Sequence, residues 1–129
     1  MSHNGSDIAA PTVAIAYHSG FGHTAVLAEA VAAGAREAGA HVHVTAVDRM
    51  TEEDWDILDA VDGIVFGSAT YMGNVSAGFQ AFAEQTGRRC LNGSWRDKVA
   101  GGFTNSGAKS GDKVNTLVSL AIFAAQHHM

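Results

Sequence analysis

Thr12-Val13-Ala14-Ile15-Ala16-Tyr17 runs directly into His18-Ser19-Gly20-Phe21-Gly22-His23-Thr24, and an alanine-rich run from Ala25 to Ala38 follows. The first run is short, apolar and partly β-branched, as a buried strand is. The last repeats apolar residues at helical spacing, with Leu27, Val31, Ala35 and Ala38 on one predicted inner face. Gly39 stands where a helix stops. Strand, tight glycine-containing loop and helix start, in that order, make an anion site. Loop N–H groups point inward, and the first helical turn adds unpaired N–H groups and the positive end of its dipole. Ser19 and Thr24 offer hydroxyl donors, and Gly20 and Gly22 let the backbone come close. A phosphate suits this chemistry without a lysine.

Two common phosphate loops do not match. A Walker A loop needs Lys before its final Ser or Thr, and His23 precedes Thr24 here. A dinucleotide fingerprint needs a third glycine where Ala25 stands, so it fits only in its alanine-tolerant form. An ordinary capped strand-to-helix connection has similar letters, so the rest of the chain must decide.

The 129 residues suit one domain, with a polar tail over 1–11 and a folded unit over 12–129. A formal charge of −5 and the lack of a basic stripe argue against a nucleic-acid partner. No run is long enough to span a bilayer. A single cysteine, Cys90, excludes an internal disulfide and fits a reducing compartment, so a cytoplasmic location is expected.

His41 to Val47 alternates, with Val42, Val44 and Ala46 opposite His41, His43 and Thr45, which predicts a strand with one wetter face. Without a Cys or carboxylate beside them, the two histidines read as surface residues rather than metal ligands. Thr51-Glu52-Glu53-Asp54 resembles a capping box opening a helix that turns Trp55 and Leu58 inward. Ile64-Val65-Phe66-Gly67 is a continuous apolar run, as in a central parallel strand covered on both faces. A loop is expected over 68–74, then a helix capped by Ser76 with Phe79, Phe82 and Ala83 facing inward. The stretch 87–97 reads as polar connection, Val99 to Phe103 as a fourth strand, and 104–111 as a third polar loop. The last helix carries an apolar stripe of Val114, Leu117, Val118, Ala121, Ile122 and Ala125, with Leu120 and Phe123 on a second face.

Strand and helix thus alternate four times, which predicts a doubly wound parallel sheet. Ligands in such sheets sit outside the carboxyl ends of the strands, where strand order reverses. Loops 18–24, 68–74 and 104–111 all leave that edge, and all are rich in Gly, Ser, Thr and Asn. Three such loops in register indicate a composite site.

Ser19-Gly20-Phe21-Gly22-His23-Thr24, the segment Gly67-Ser68-Ala69-Thr70-Tyr71-Met72-Gly73-Asn74, and the segment from Phe103 to Lys113 together resemble the flavodoxin-like flavoproteins. The nearest group is the NADPH-dependent FMN reductase and tryptophan-repressor-binding-protein type, which includes NAD(P)H:quinone oxidoreductases. The likeness spans about 12–129. It implies a strand order 2-1-3-4 that lacks the family's fifth strand and fifth helix, and hence a homo-oligomer covering what they would cover.

The resemblance also implies a cofactor, FMN, and places it. Ser19, Gly20, Phe21, Gly22, His23 and Thr24 would hold its phosphate, with Phe21 able to stack on a nicotinamide. Thr70, Tyr71 and Met72 would lie along the isoalloxazine beside Gly73. Thr104, Asn105, Ser106, Gly107, Ala108 and Lys109 would cover the ribityl chain and the pyrimidine end. His127 would stand near the flavin. The implied activity is oxidoreduction: NADH or NADPH reduces the flavin, and a quinone or similar acceptor reoxidises it from the same face. A flavodoxin-type electron carrier and a truncated, non-catalytic FMN-binding protein are the alternatives. Ala69 departs from the family's usual proline, and Cys90 falls near the position of an aromatic that lines the quinone pocket.

Overall fold

The computed structural model describes residues 9–109 and 112–129. Most of the expected N-terminal tail lies outside them. The strands are β1 (Thr12–His18), β2 (His41–Ala46), β3 (Gly63–Tyr71), β4 (Asn74–Val75) and β5 (Val99–Asn105). The helices are α1 (His23–Glu37), α2 (Glu52–Ala60), α3 (Ala77–Gln85), α4 (Gly87–Asn92) and α5 (Lys113–Gln126). The main strands pair in parallel in the order β2-β1-β3-β5, which is the expected 2-1-3-4 once the short β4 is set aside. The architecture is the α/β, flavodoxin-like one.

Alternation along the strands builds two cores. Ala14, Ala16, Ile64 and Phe66 face α2, α3 and α5; Ile15 faces α1 with Ala28 and Ala32. Phe66 lies between Ala16 on β1 and Gly102 on β5, two small neighbours that make room for its ring. Phe79, Phe82, Trp95 and Phe123 complete the aromatic cluster around it. Each such ring, buried, contributes about 1.5–3 kcal/mol. On the opposite face Gly67 gives the Phe103 ring its place, since a Cβ there would overlap it.

Local chemistry sets several boundaries as expected. Thr51 and Asp54 form a reciprocal capping box at the start of α2, and Leu58 is fully buried. Ser76 Oγ accepts from Phe79 N–H at 3.2 Å to open α3. His43 Nε2 meets Asp54 Oδ1 at 2.9 Å, so this strand histidine ties β2 to α2.

Other expectations are corrected. The inner face of α1 is Thr24, Ala28 and Ala32, one position round from the predicted stripe; Ala38 is exposed. The smaller side chains settle closest to the sheet. On β2, Thr45 is buried rather than wet. The expected loop at 68–74 is strand as far as Tyr71. A two-residue turn follows with positive φ at Met72 and Gly73 (52° and 76°), and Asn74 pairs back on Tyr71. That is the backbone of a tight hairpin turn. Likewise the third loop begins only after Asn105. The presumed polar connection at 87–97 contains α4 and the fully buried Trp95, whose Nε1 donates to Asp59 Oδ1 at 2.8 Å.

The last helix is turned the other way from prediction. Thr116, Leu120 and Ala124 are buried, with Phe123 packed beside them. Val114, Leu117, Val118 and Ile122 are exposed. The helix is apolar all round, so periodicity alone selects no face.

Candidate functional site

The β1–α1 loop runs from Ser19 to Gly22 and opens α1 at His23. Gly22 takes a left-handed conformation, φ 93°, and stands at the N-cap without a side chain to cap the helix. Ser19 Oγ reaches over instead, accepting from Gly22 N–H at 3.0 Å and Ala25 N–H at 3.2 Å. Its own proton stays available to an anion. The N–H groups of His23 and Thr24 have no protein partner among the described residues.

Beside this loop lies a cavity of about 270 Å³ at the carboxyl ends of β1, β3 and β5. Phe21, His23 and Thr24 line it from the first loop, Ala69, Thr70 and Tyr71 from β3, and Asn105, Ser106 and Gly107 from the third segment. The three stretches therefore do meet. Among the described residues no Lys, Arg, Asp or Glu lines this cavity, whereas Ser19 and Gly22 line a second one of about 190 Å³ that Asp48 and Arg49 share. Phe21, 84% exposed, stands edge-on to Tyr71 with ring centres 6.0 Å apart. A Cβ on Gly20 would overlap the Tyr71 hydroxyl, so loop and aromatic wall are in close contact.

Buried hydroxyls brace the floor. Thr70 Oγ1 lies 2.6 Å from Thr104 Oγ1 and donates to Thr116 Oγ1 at 2.9 Å. Thr24 Oγ1 donates to Asn105 Oδ1 at 2.7 Å, joining α1 to β5. Lys113 Nζ donates to Ser106 Oγ and Ala108 O, both at 2.8 Å, which shapes the third loop. Behind the first loop, His18 Nδ1 meets Ser76 Oγ at 2.8 Å.

Some predicted site residues are elsewhere. Met72 projects fully into solvent at the hairpin tip. Ala108 and Lys109 are exposed and do not line the cavity. Gly73 does not line the cavity; its carbonyl accepts from Asn115 Nδ2 at 2.7 Å. His127 stands at the far end of the sheet, packed between Trp95 and Phe123 at 4.5 and 5.0 Å between ring centres. The helix that carries it starts near the cavity and runs back toward the amino ends of the strands, where Asp97 N–H donates to His128 O. Cys90 is at that end too, its Sγ donating to Gln126 O at 3.1 Å.

The sequence reading assigned no role to Thr116, Lys113 or His18, although His18 and Lys113 lie inside the stretches it quoted. A hydroxyl inside the apolar run Val114 to Ala125 is the local signal for Thr116. A larger groove, about 430 Å³, lies between α5 and the free side of β5. It is lined by Ala, Gly, Leu and Met residues, with no polar side chain.

Comparison with known proteins agrees with this fold. Flavodoxin FldP of Pseudomonas aeruginosa is 42% identical over 113 residues, covering 88% of the chain and 60% of that protein. An NAD(P)H dehydrogenase (quinone) of Nitrobacter winogradskyi is 33% identical over 125 residues, covering 84% of the chain and 63% of that protein. The chain thus spans about three fifths of the length of these relatives. The crystal structure of a flavodoxin, WrbA-like protein from Agrobacterium tumefaciens superimposes with a TM-score of 0.82 at 45% identity, over 92% of the chain and 74% of that protein. The flavodoxin family profile matches residues 15–117, and with these relatives it places the chain in the flavodoxin family.

Proposed function

We propose that the chain holds FMN at the carboxyl end of its sheet and works as a flavodoxin-type electron carrier. One observation supports the reading: the N–H groups of His23 and Thr24 are free at the start of α1, and Phe21, His23 and Thr24 line a cavity together with Thr70, Tyr71 and Asn105. The residues fit FMN. Free N–H groups at a helix start suit a phosphate, and Arg49 lines the cavity beside Ser19 and Gly22, together with Asp48. Bound FMN supplies the electron transfer, and the protein supplies binding and orientation. Ser19 and the loop N–H groups would hold the phosphate. Tyr71, 37% exposed, would stack against one side of the ring. Asn105 and Ser106 would meet its polar edge.

A second reading, NAD(P)H:quinone oxidoreduction, draws support from relatives 31–33% identical that are named NAD(P)H dehydrogenase (quinone). The first is favoured by flavodoxin FldP, which is more similar at 42% identity. Titrating the protein with FMN and following flavin fluorescence tests the shared part; no saturable quenching would refute both readings. Excess NADH or NADPH then separates them. Flavin that stays oxidised fits the carrier, and bleaching of its visible band, reversed by a quinone, fits the reductase.

A further inference from the structure

We propose that His18 is a positioning residue: its imidazole clamps the foot of the Tyr71 hairpin to the end of β1, so that the Ser19 loop and the aromatic wall keep a fixed spacing across the cavity. The inference deepens the FMN-binding reading and rests on it. His18 closes β1 and stands directly before Ser19, whose Oγ organises the loop through Gly22 N–H and Ala25 N–H. β2 pairs with β1 only as far as Tyr17, so the last residue of β1 keeps backbone pairing with β3 alone, opposite Ser68. Its side chain supplies another hold. Nδ1 lies 2.8 Å from Ser76 Oγ, in a contact between residues 58 apart in sequence. That distance settles the orientation of the ring, because a C–H group meets an oxygen only at about 3.3–3.6 Å.

Ser76 carries this hold to the cavity. It follows Val75, which pairs with Thr70 in the return strand of the hairpin, and Thr70 and Tyr71 line the cavity. Ser76 also caps α3 through Phe79 N–H, and its own N–H donates to Ser68 Oγ at 3.0 Å. Ser68 and Ser76 are 0% and 1% exposed, so no solvent reaches them to replace a lost partner. Gly78, in the first turn of α3, reserves the place of the ring, since a Cβ there would overlap it. The other ring nitrogen, Nε2, is 3.8 Å from Asp48 Oδ2, too far for a hydrogen bond. The hold therefore runs through Nδ1.

An amide can take the place of one ring nitrogen at a time. Asn brings its amide to where Nδ1 stands, and Gln carries it one bond further, toward Nε2. Both remove the ring, so comparing them cancels the lost packing and leaves the bond to Ser76. FMN is titrated by fluorescence against the native protein, His18→Asn, His18→Gln and Gly78→Ala, each also in a Ser76→Ala background, with circular dichroism to confirm folding. We expect His18→Asn to bind within about threefold of the native protein and His18→Gln about tenfold more weakly than His18→Asn, the equivalent of one hydrogen bond of ~1.4 kcal/mol. Gly78 does not line the cavity, yet Gly78→Ala pushes the ring off Ser76 and should weaken FMN by a similar factor, although alanine is the better helix former. Without Ser76 both differences should shrink to within about twofold, since their shared route is gone. Equal affinity in the Asn and Gln variants would overturn the proposal, and so would a difference that persists in the Ser76→Ala background. If neither His18 variant folds, Gly78→Ala decides alone, and native affinity in that variant overturns the proposal. If the native protein binds no FMN, it is the FMN reading itself that fails, a result distinct from all of these.

Discussion

His127 Nε2 lies 2.9 Å from Thr86 Oγ1, and the direction of that bond decides the state of the histidine. Thr86 Oγ1 also stands 2.7 Å from Ala83 O, which only accepts, so the Thr86 proton goes there. Thr86 must then accept from His127. The ring carries its proton on Nε2, and Nδ1 is left bare, buried and without a partner. Trp95 and Phe123 close around it, and the residue is 2% exposed.

Burial therefore holds His127 below the ordinary histidine pKa, and the positive charge of His128 adds to the effect. An unfolded chain takes up this proton near pH 6.5, whereas the folded chain takes it up only lower. Between those two values the unfolded state binds more protons, so stability is full above about pH 6.5 and falls as pH drops through the window. We expect Tm to fall between pH 7.5 and pH 5.5, and His127→Gln to flatten that fall. Asp54, held below the usual carboxylate value chiefly by the Thr51 N–H, acts only from about pH 4 downward and does not confuse the comparison. Equal slopes in the two proteins would contradict the assignment.

What the sequence disclosed, it disclosed through local chemistry. Thr51 with Asp54, and Ser76 with the N–H of Phe79, fix helix starts within four residues, and the apolar run Ile64 to Phe66 can only be central strand. The face of α5 was hidden because Val114, Leu117, Leu120 and Ile122 are equally apolar; the sheet beneath chooses among them. The bond from Thr24 to Asn105 was hidden because the two residues lie far apart along the chain. His127 came from the family likeness, yet helix length speaks against it. A helix of 14 residues that starts at the cavity edge ends ~21 Å away, at 1.5 Å per residue.

Gly20 and Tyr71 give a second test. A methyl group on Gly20 would overlap the Tyr71 hydroxyl. The Tyr71 side chain is partly exposed, so its ring can swing aside with little loss of stability. Gly20→Ala should therefore leave Tm within about 2 °C while weakening FMN binding, since the displaced ring no longer forms the wall. In a Tyr71→Ala background the same change should have little further effect, as expected for coupled neighbours. Equal losses in both backgrounds would show that Gly20 acts through the loop backbone instead.

Ser19 has two tasks, and its removal should show both. Its oxygen accepts from two loop N–H groups, and its proton is free for an anion. Ser19→Ala removes a bond to a charged group, typically worth about 1.5–3 kcal/mol. FMN affinity should fall at least tenfold, and riboflavin affinity far less. Isothermal titration with both flavins measures this. Equal losses for the two would remove Ser19 from the phosphate site.

The free side of β5 and the outer face of α5 make the last prediction, self-association. Among the described residues β5 pairs only with β3, which leaves its other edge of N–H and C=O groups open. Open edges are templates for pairing with another chain, and native proteins commonly guard them with charge, proline or a bulge. Val99 to Asn105 contains no charged residue and no proline, and Val99 is 74% exposed. Beside it Val114, Leu117, Val118 and Ile122 are 66%, 43%, 47% and 56% exposed. From Val114 to Gln126 the helix has no charged side chain, so two copies of it meet without like-charge repulsion, although the whole chain carries −5. A contiguous apolar surface of this kind marks a contact site. Sedimentation velocity should show species larger than a monomer that grow with concentration. Val118→Lys with Ile122→Glu should shift the chain toward monomer with Tm unchanged or slightly raised, because exposed side chains contribute little to the fold of one copy. A monomer at every concentration, unaltered by these changes, would show that the open edge and the apolar helix face remain wet without consequence.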